Sequence, residues 1–159
     1  MTEAGSKAQE MGTLRVELEI RIEAPPERVW QALVHEMGAW WRKDFYSAGG
    51  QRFVIEPRVG GRVYEDDGKG GGLLWYTVQV LTAPRTLQLI GHLSPPWGGP
   101  ALAQTRFELE PAGKATVVRV TDHLFGAVSG KLAKDLEEGW TLLIAEALKP
   151  YVEGSREPR

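Results

Sequence analysis

The sequence predicts an α+β domain in which a strongly curved antiparallel sheet of about six or seven strands wraps around one long C-terminal helix, with two short helices after the first strand. Three observations carry this. Apolar residues alternate strictly near the start, at Leu14, Val16, Leu18, Ile20 and Ile22, with Arg15, Glu17, Glu19 and Arg21 between them. Near the end the period changes, and Leu132, Leu136, Trp140, Leu143, Ala147 and Tyr151 recur at the spacing of one helix face. Between these segments lie about six strand-like runs divided by short turn signals.

Leu14 to Ile22 therefore forms a strand with one dry and one wet face. Pro25 and Pro26 end its pairing, because they have no N–H to donate, and their fixed φ suits the first turn of a helix. That helix carries Val29, Trp30 and Leu33 on one side. A second short helix is expected over Glu36 to Lys43, weakened by Gly38. Strands are expected over Phe53 to Glu56, Arg62 to Glu65, Leu73 to Leu81, Thr86 to His92, Leu102 to Glu110 and Ala115 to Leu124. Their connectors are short, which favours a meander of hairpins. The long helix runs from Gly130 to Val152, with a break or bend expected at Gly139 and little harm from Pro150 so near its end.

Length and composition bound the rest. A chain of 159 residues, 42% apolar and 25% charged, fits one soluble domain with a real core, here 13–153, flanked by tails over 1–12 and 154–159. The net charge of −2 gives no general attraction to nucleic acid or anionic membranes. No cysteine means no disulfide, no thiolate nucleophile and no cysteine-bound zinc. With neither a signal-like apolar segment nor a membrane-spanning run, a cytoplasmic location is expected.

Four pieces resemble the START-like or SRPBCC superfamily, whose fold is called a helix-grip and is shared with Bet v-like proteins. They are APPERVWQAL from Ala24, PRVGGRVYEDDG from Pro57, VQVLTAPRTLQL from Val78 and GWTLLIAEALKPYV from Gly139. Within that superfamily the chain is similar to the branch named for the activator of the heat-shock-protein-ninety ATPase, related to polyketide cyclases. The resemblance implies a cavity between sheet and long helix that holds apolar or amphipathic small molecules in many members. It does not imply one reaction, since relatives include cyclases, lipid carriers and partner-binding modules.

Six tryptophans in one small domain are the main chemical clue, because an indole gives a large rigid apolar surface with a single N–H donor. The candidate ligand contacts are Trp40, Trp41, Phe45, Phe53, Trp75, Trp97, Asp122 and Trp140. Trp30 and Trp140 fit a core role better than the others do. Trp97, in the loop PPWGGP, suits a lid, a partner contact or packing on its own domain. Asp122 shares parity with Thr116, Val118 and Val120, so it is either a polar handle in the pocket or a strand-end group near water. Its neighbour His123 faces the other way and cannot form a dyad with it.

Other motifs carry less. His35, His92 and His123 lack metal-site spacing, and no metal or cofactor is expected. The stretch EDDGKGGG matches neither a P-loop nor a calcium loop and is expected to be a hairpin tip. Arg106 belongs to a solvated outer face. The leading expectation is thus a domain that binds a hydrophobic or amphipathic small molecule and has no catalytic residues. The alternatives are a cyclase or hydratase type of enzyme that moves a proton through Asp122, Glu56 or His92, or a module docking on a chaperone or regulator, as monomer or homodimer.

Overall fold

Strict alternation extends the first strand, β1, over Gly12–Ile22, and the chain then turns at Pro25 into α1, Pro26–Trp30. The computed structural model describes residues 10–47 and 49–154, together with Gly5 and Ala8; most of the expected tails over 1–12 and 154–159 lies outside them. Pro26 occupies the first turn of α1, and Val29 and Trp30 are buried. The helix continues as a π turn over Gln31–His35 and is followed by α2, Met37–Trp40, and a short 3₁₀ turn at Lys43–Phe45. Six strands follow: β2 Arg52–Ile55, β3 Arg62–Asp66, β4 Gly72–Thr82, β5 Thr86–Leu93, β6 Ala101–Ala112 and β7 Ala115–Gly126.

All seven strands form one antiparallel sheet in the order β1-β7-β6-β5-β4-β3-β2. From β2 to β7 each strand pairs with its neighbour in sequence, as short hairpin links require, and β1 closes on β7 along its whole length, from Gly12 opposite Gly126 to Ile22 opposite Thr116. The concave face carries the core. Phe107, Leu109, Val118, Val120, Leu87 and Leu89 meet Leu33, Met37 and Trp40 from the short helices and Trp140, Ile144, Leu148 and Val152 from the C-terminal rod. Among the described residues no helix is long and apolar enough to cross a membrane.

That rod consists of α3, Gly130–Leu143, a π turn over Ile144–Leu148 and α4, Lys149–Gly154. Ser129 caps it by accepting the Leu132 N–H at 3.2 Å. The expected irregularity at Gly139 is not there: the α-helical ladder runs through Gly139, and the distortion falls at Ile144–Leu148 instead. Pro150 supplies the reason. It has no N–H for the Glu146 carbonyl, and its ring would strike that carbonyl in a regular α-turn, so the preceding turn widens. Farther along, the Tyr151 hydroxyl donates to Glu36 Oε1 at 2.5 Å while Arg28 pairs with the same carboxylate at 3.0 Å, which ties α4 to the α1–α2 segment. Tyr151 and then Arg28 hold the Glu36 carboxyl below its ordinary range.

Gly38 does more than weaken α2. A methyl group at this position would stand 2.4 Å from the Phe53 carbonyl oxygen, so glycine is what lets α2 lie directly on β2. Gly38→Ala should therefore lower stability by about 1–3 kcal/mol in urea unfolding, through forced separation of α2 from β2. A gain of about 1 kcal/mol, the helix-propensity effect alone, would show that this contact does not constrain the fold.

Candidate functional site

Where the rod crosses β4, the packing leaves a hollow of about 130 Å³. Its wall is Trp41, Phe45, Trp75, Tyr76, Leu136, Trp140 and Leu143, with Gly139 and Asp135 on the helix side. Helical spacing explains one half of this wall, since Leu136, Trp140 and Leu143 lie on the face that α3 turns to the sheet. The other half comes from a β-bulge. Tyr64 pairs with Leu74 and Val63 with Tyr76, so Trp75 is an extra residue without a partner on β3. A regular strand would send Trp75 and Tyr76 to opposite faces, whereas the bulge lets both line the hollow. Gly91 on β5 makes room for it, because a methyl there would sit 2.1 Å from the Trp75 carbonyl oxygen.

The aromatic rings are fixed by one another. Trp41 stacks on Phe53 with centroids 4.1 Å apart and planes 9° from parallel. The edges of Trp75 and Trp140 approach it at 6.3 and 6.4 Å. Two buried carboxylates lie behind the wall. Asp122, 1% exposed, accepts from Thr105 Oγ1 at 2.8 Å and from Trp140 Nε1 at 2.9 Å. Burial pushes its carboxyl above the ordinary value, and these two hydrogen bonds act against that shift. Glu65, also 1% exposed, accepts from Trp75 Nε1 at 2.9 Å and from the backbone N–H groups of Ser47 at 3.0 Å and Gly50 at 3.3 Å. The Tyr76 phenol is pushed up by burial and by the charge of Asp122, against a hydrogen bond with Thr105.

Of the eight residues expected to touch a ligand, Trp41, Phe45, Trp75 and Trp140 line the hollow. Phe53 stands behind Trp41. Trp40 lies beside Trp41 at 5.9 Å and donates its indole N–H to the Ala32 carbonyl at 2.8 Å, as a core residue does. Asp122 is behind the wall and reaches it through Trp140 and, by way of Thr105, through Tyr76. Trp97 is 40% exposed on the 3₁₀ turn Pro95–Trp97 and is not part of the wall, because two prolines and the left-handed Gly98 direct this turn over the surface. Tyr76 and Glu65 escaped the sequence reading. Both were legible by parity, Glu65 with the buried Val63 and Tyr76 with the buried Val78; what the sequence hides is the bulge that sets Trp75 on the same side as Tyr76.

The groups weighed for proton transfer do not converge. Glu56 sits at the turn between β2 and β3, where hydrogen bonds from Arg62 hold its carboxyl down to about 2. His92 is exposed on the outer face, and Asp122 is enclosed. Among the described residues no three His, Asp or Glu side chains gather as metal ligands would. A wider surface groove lies between Arg52, Arg62, Tyr64 and Leu74, but its arginines are already paired, Arg52 with Asp66 and Arg62 with Glu56. The stretch EDDGKGGG is a hairpin tip closed by its own aspartates, Asp66 accepting the Gly68 N–H at 2.7 Å and Asp67 that of Lys69 at 2.7 Å.

This arrangement, a long helix gripped by a seven-stranded sheet, agrees with the comparison of sequences. The family described as Activator of Hsp90 ATPase homolog 1-like protein matches over residues 23–153. The chain belongs to that family. No curated protein matches it in sequence. Among solved structures it is similar to the Aha1 dimer of Colwellia psychrerythraea, determined in solution, with 25% identity, a TM-score of 0.62, and coverage of 91% of this chain and 99% of that one. Protein MLL2253 of Mesorhizobium loti aligns at 20% identity and TM-score 0.67 over 91% of this chain and 100% of its own. CalU16 of Micromonospora echinospora aligns at 17% identity and TM-score 0.60 over 96% and 88%. The last two establish likeness of fold.

Asp122 lends itself to a direct check. Both of its oxygens accept hydrogen bonds, whereas an asparagine offers one acceptor, so Asp122→Asn should cost about 1–3 kcal/mol. The upward shift means that the native state retains the proton longer than the unfolded chain does. That contribution is complete below the unfolded value, about 3.9, and fades as pH rises through the native one. The stability gap between wild type and Asp122→Asn should accordingly narrow above about pH 4 in denaturant titrations. A gap that widens with pH would mean the carboxylate is favoured, not opposed, by its site.

Proposed function

We propose that this family member holds a compact apolar molecule, about the size of one ring, in the hollow between α3 and the bulged part of β4. The observation that carries the reading is the wall itself: three indoles, a phenyl and a phenol around about 130 Å³, close to the roughly 150 Å³ at which an apolar protein cavity takes up benzene. It is well below the several hundred Å³ of pockets that enclose larger ligands, so lipids and multi-ring compounds would need Phe45 and Trp75 to move aside. No proton-transfer set converges on the wall, which favours binding over turnover.

Thermal unfolding in the presence of toluene tests this. Toluene at ten times its Kd should add about 1.4 kcal/mol, or about 4 °C in Tm. Gly139 faces the hollow, where a methyl would stand 3.6 Å from Phe45 Cε1, in ordinary contact. Gly139→Leu should thus fold at least as well as wild type and lose the toluene shift. Equal shifts in both proteins, or none in wild type, would remove the hollow as the binding site.

A second reading, self-association, is favoured by a row on the outer face. Phe125, 47% exposed, sits opposite Leu102 and beside the exposed Met11, and the Colwellia relative was solved as a dimer. We assign this row to a second copy of the chain. Light scattering after size exclusion should give a dimer for wild type and a monomer for Phe125→Lys. A wild-type monomer at 100 µM would end this reading, and acceleration of a chaperone ATPase by that monomer, lost in Phe125→Lys, would give the row to the chaperone instead.

A further inference from the structure

We infer that the hollow is an aromatic cage for a small quaternary ammonium ion, one whose nitrogen carries methyl groups and no N–H. This rests on the binding reading above and names the class of molecule whose methyl surface enters the wall. The polar atoms of the wall rings are already engaged or enclosed. Trp75 Nε1 donates to Glu65 and Trp140 Nε1 to Asp122, each at 2.9 Å. The Tyr76 phenol is hydrogen-bonded with Thr105, and the Trp41 nitrogen is sealed from solvent. A molecule held among these rings therefore finds no hydrogen-bond partner on them, which disfavours sugars, amides and primary ammonium groups.

Charge decides among the molecules that remain. The carboxyls of Glu65 and Asp122 stand one hydrogen bond behind the wall, Asp135 is on its helix side, and no lining side chain is cationic. The neighbouring cations have partners of their own: Lys131 holds Asp135 at 2.8 Å, and Arg42, over the Phe45 ring at 5.8 Å, is held by both oxygens of Asp44 at 3.0 and 2.8 Å. An anion would face carboxyls without a free counter-charge. A cation gains from the same carboxyls and from the rings, since π systems attract positive charge and indole does so most strongly. An indole that donates its N–H to a carboxyl also becomes richer in electrons, and two of the three wall indoles do so. Trp41 stands at 62° to Trp75 and 80° to Trp140, so the rings enclose the space as steep sides rather than as one stack. A methylated ammonium suits such a box, because its charge is spread over methyl groups that need no acceptor. Its trimethylammonium head is close to one small ring in bulk, in keeping with about 130 Å³. A phosphate attached a few bonds away would approach Asp135, so a free cation fits better than a lipid head.

Choline and 3,3-dimethylbutan-1-ol separate this inference from simple apolar binding, because they share one shape and the alcohol has carbon in place of the charged nitrogen. Calorimetry on wild type should give choline about tenfold the affinity of the alcohol, the scale of one desolvated cation–π contact. Gly139→Leu, which fills the hollow, should bind neither. The N-methyl protons of bound choline should move upfield, as protons over ring faces do, and vesicles of phosphatidylcholine should not sediment the protein. Sedimentation that choline reverses would overturn the free cation and give the cage to a lipid head. An affinity for choline no higher than for the alcohol, binding of choline retained in Gly139→Leu, or a downfield shift would overturn the cage; a toluene shift that persists would then leave the hollow as a site for neutral molecules. If toluene, choline and the alcohol all fail to bind, the binding reading itself fails.

Discussion

The hydrogen bond from Trp140 Nε1 to Asp122 Oδ2 joins the middle of the long helix to β7 of the sheet, and the position of the hollow depends on it. Apolar contact alone would let a helix slide along a concave surface, because dispersion and burial have little direction. A directed bond to an enclosed carboxyl fixes both the height and the rotation of α3. Asp122 in turn is fixed by Thr105, its neighbour across the β6–β7 ladder. The cost of enclosing this carboxyl is visible in its raised proton affinity, and its two donors offset part of that cost.

With the helix fixed, the shape of the hollow follows from a local defect in β4. One extra residue at Trp75 turns two consecutive aromatics to the same side, and Gly91 on the adjacent strand accommodates the displaced carbonyl. Glu65 plays for Trp75 the part that Asp122 plays for Trp140, and it also gathers the backbone of Ser47 and Gly50, in the segment between the Lys43–Phe45 turn and β2. Two indoles of the wall are therefore anchored by carboxylates on the side away from the hollow, and the third is held by stacking on Phe53. The outcome is a small, stiff and mostly apolar space with carboxyls just outside it.

Much of the fold was legible in the sequence, because period two and period 3.6 translate directly into dry faces. The strands, the proline-led helix and the amphipathic rod all lie within a few residues of their expected bounds. Gly38 and Gly139 were legible as glycines but not in meaning. The first permits contact between α2 and the Phe53 carbonyl, and the second opens the helix surface toward Phe45 without bending it. The irregularity is a π turn ahead of Pro150, whose effect reaches back a full turn through the missing N–H.

By itself the sequence determined which residues are apolar, on which parity they fall, and that Asp122 shares a face with Val118 and Val120; these are properties of one strand or one helix. Only the tertiary structure decided that Trp41, Trp75 and Trp140 share one wall, that Trp40 and Trp97 do not, and that Tyr76 joins them. The reason is that these contacts depend on bulge register, helix rotation and ring stacking across segments up to a hundred residues apart along the chain, as Trp41 and Trp140 are. No local period encodes such distances, and packing at near-crystalline density is what fixes them.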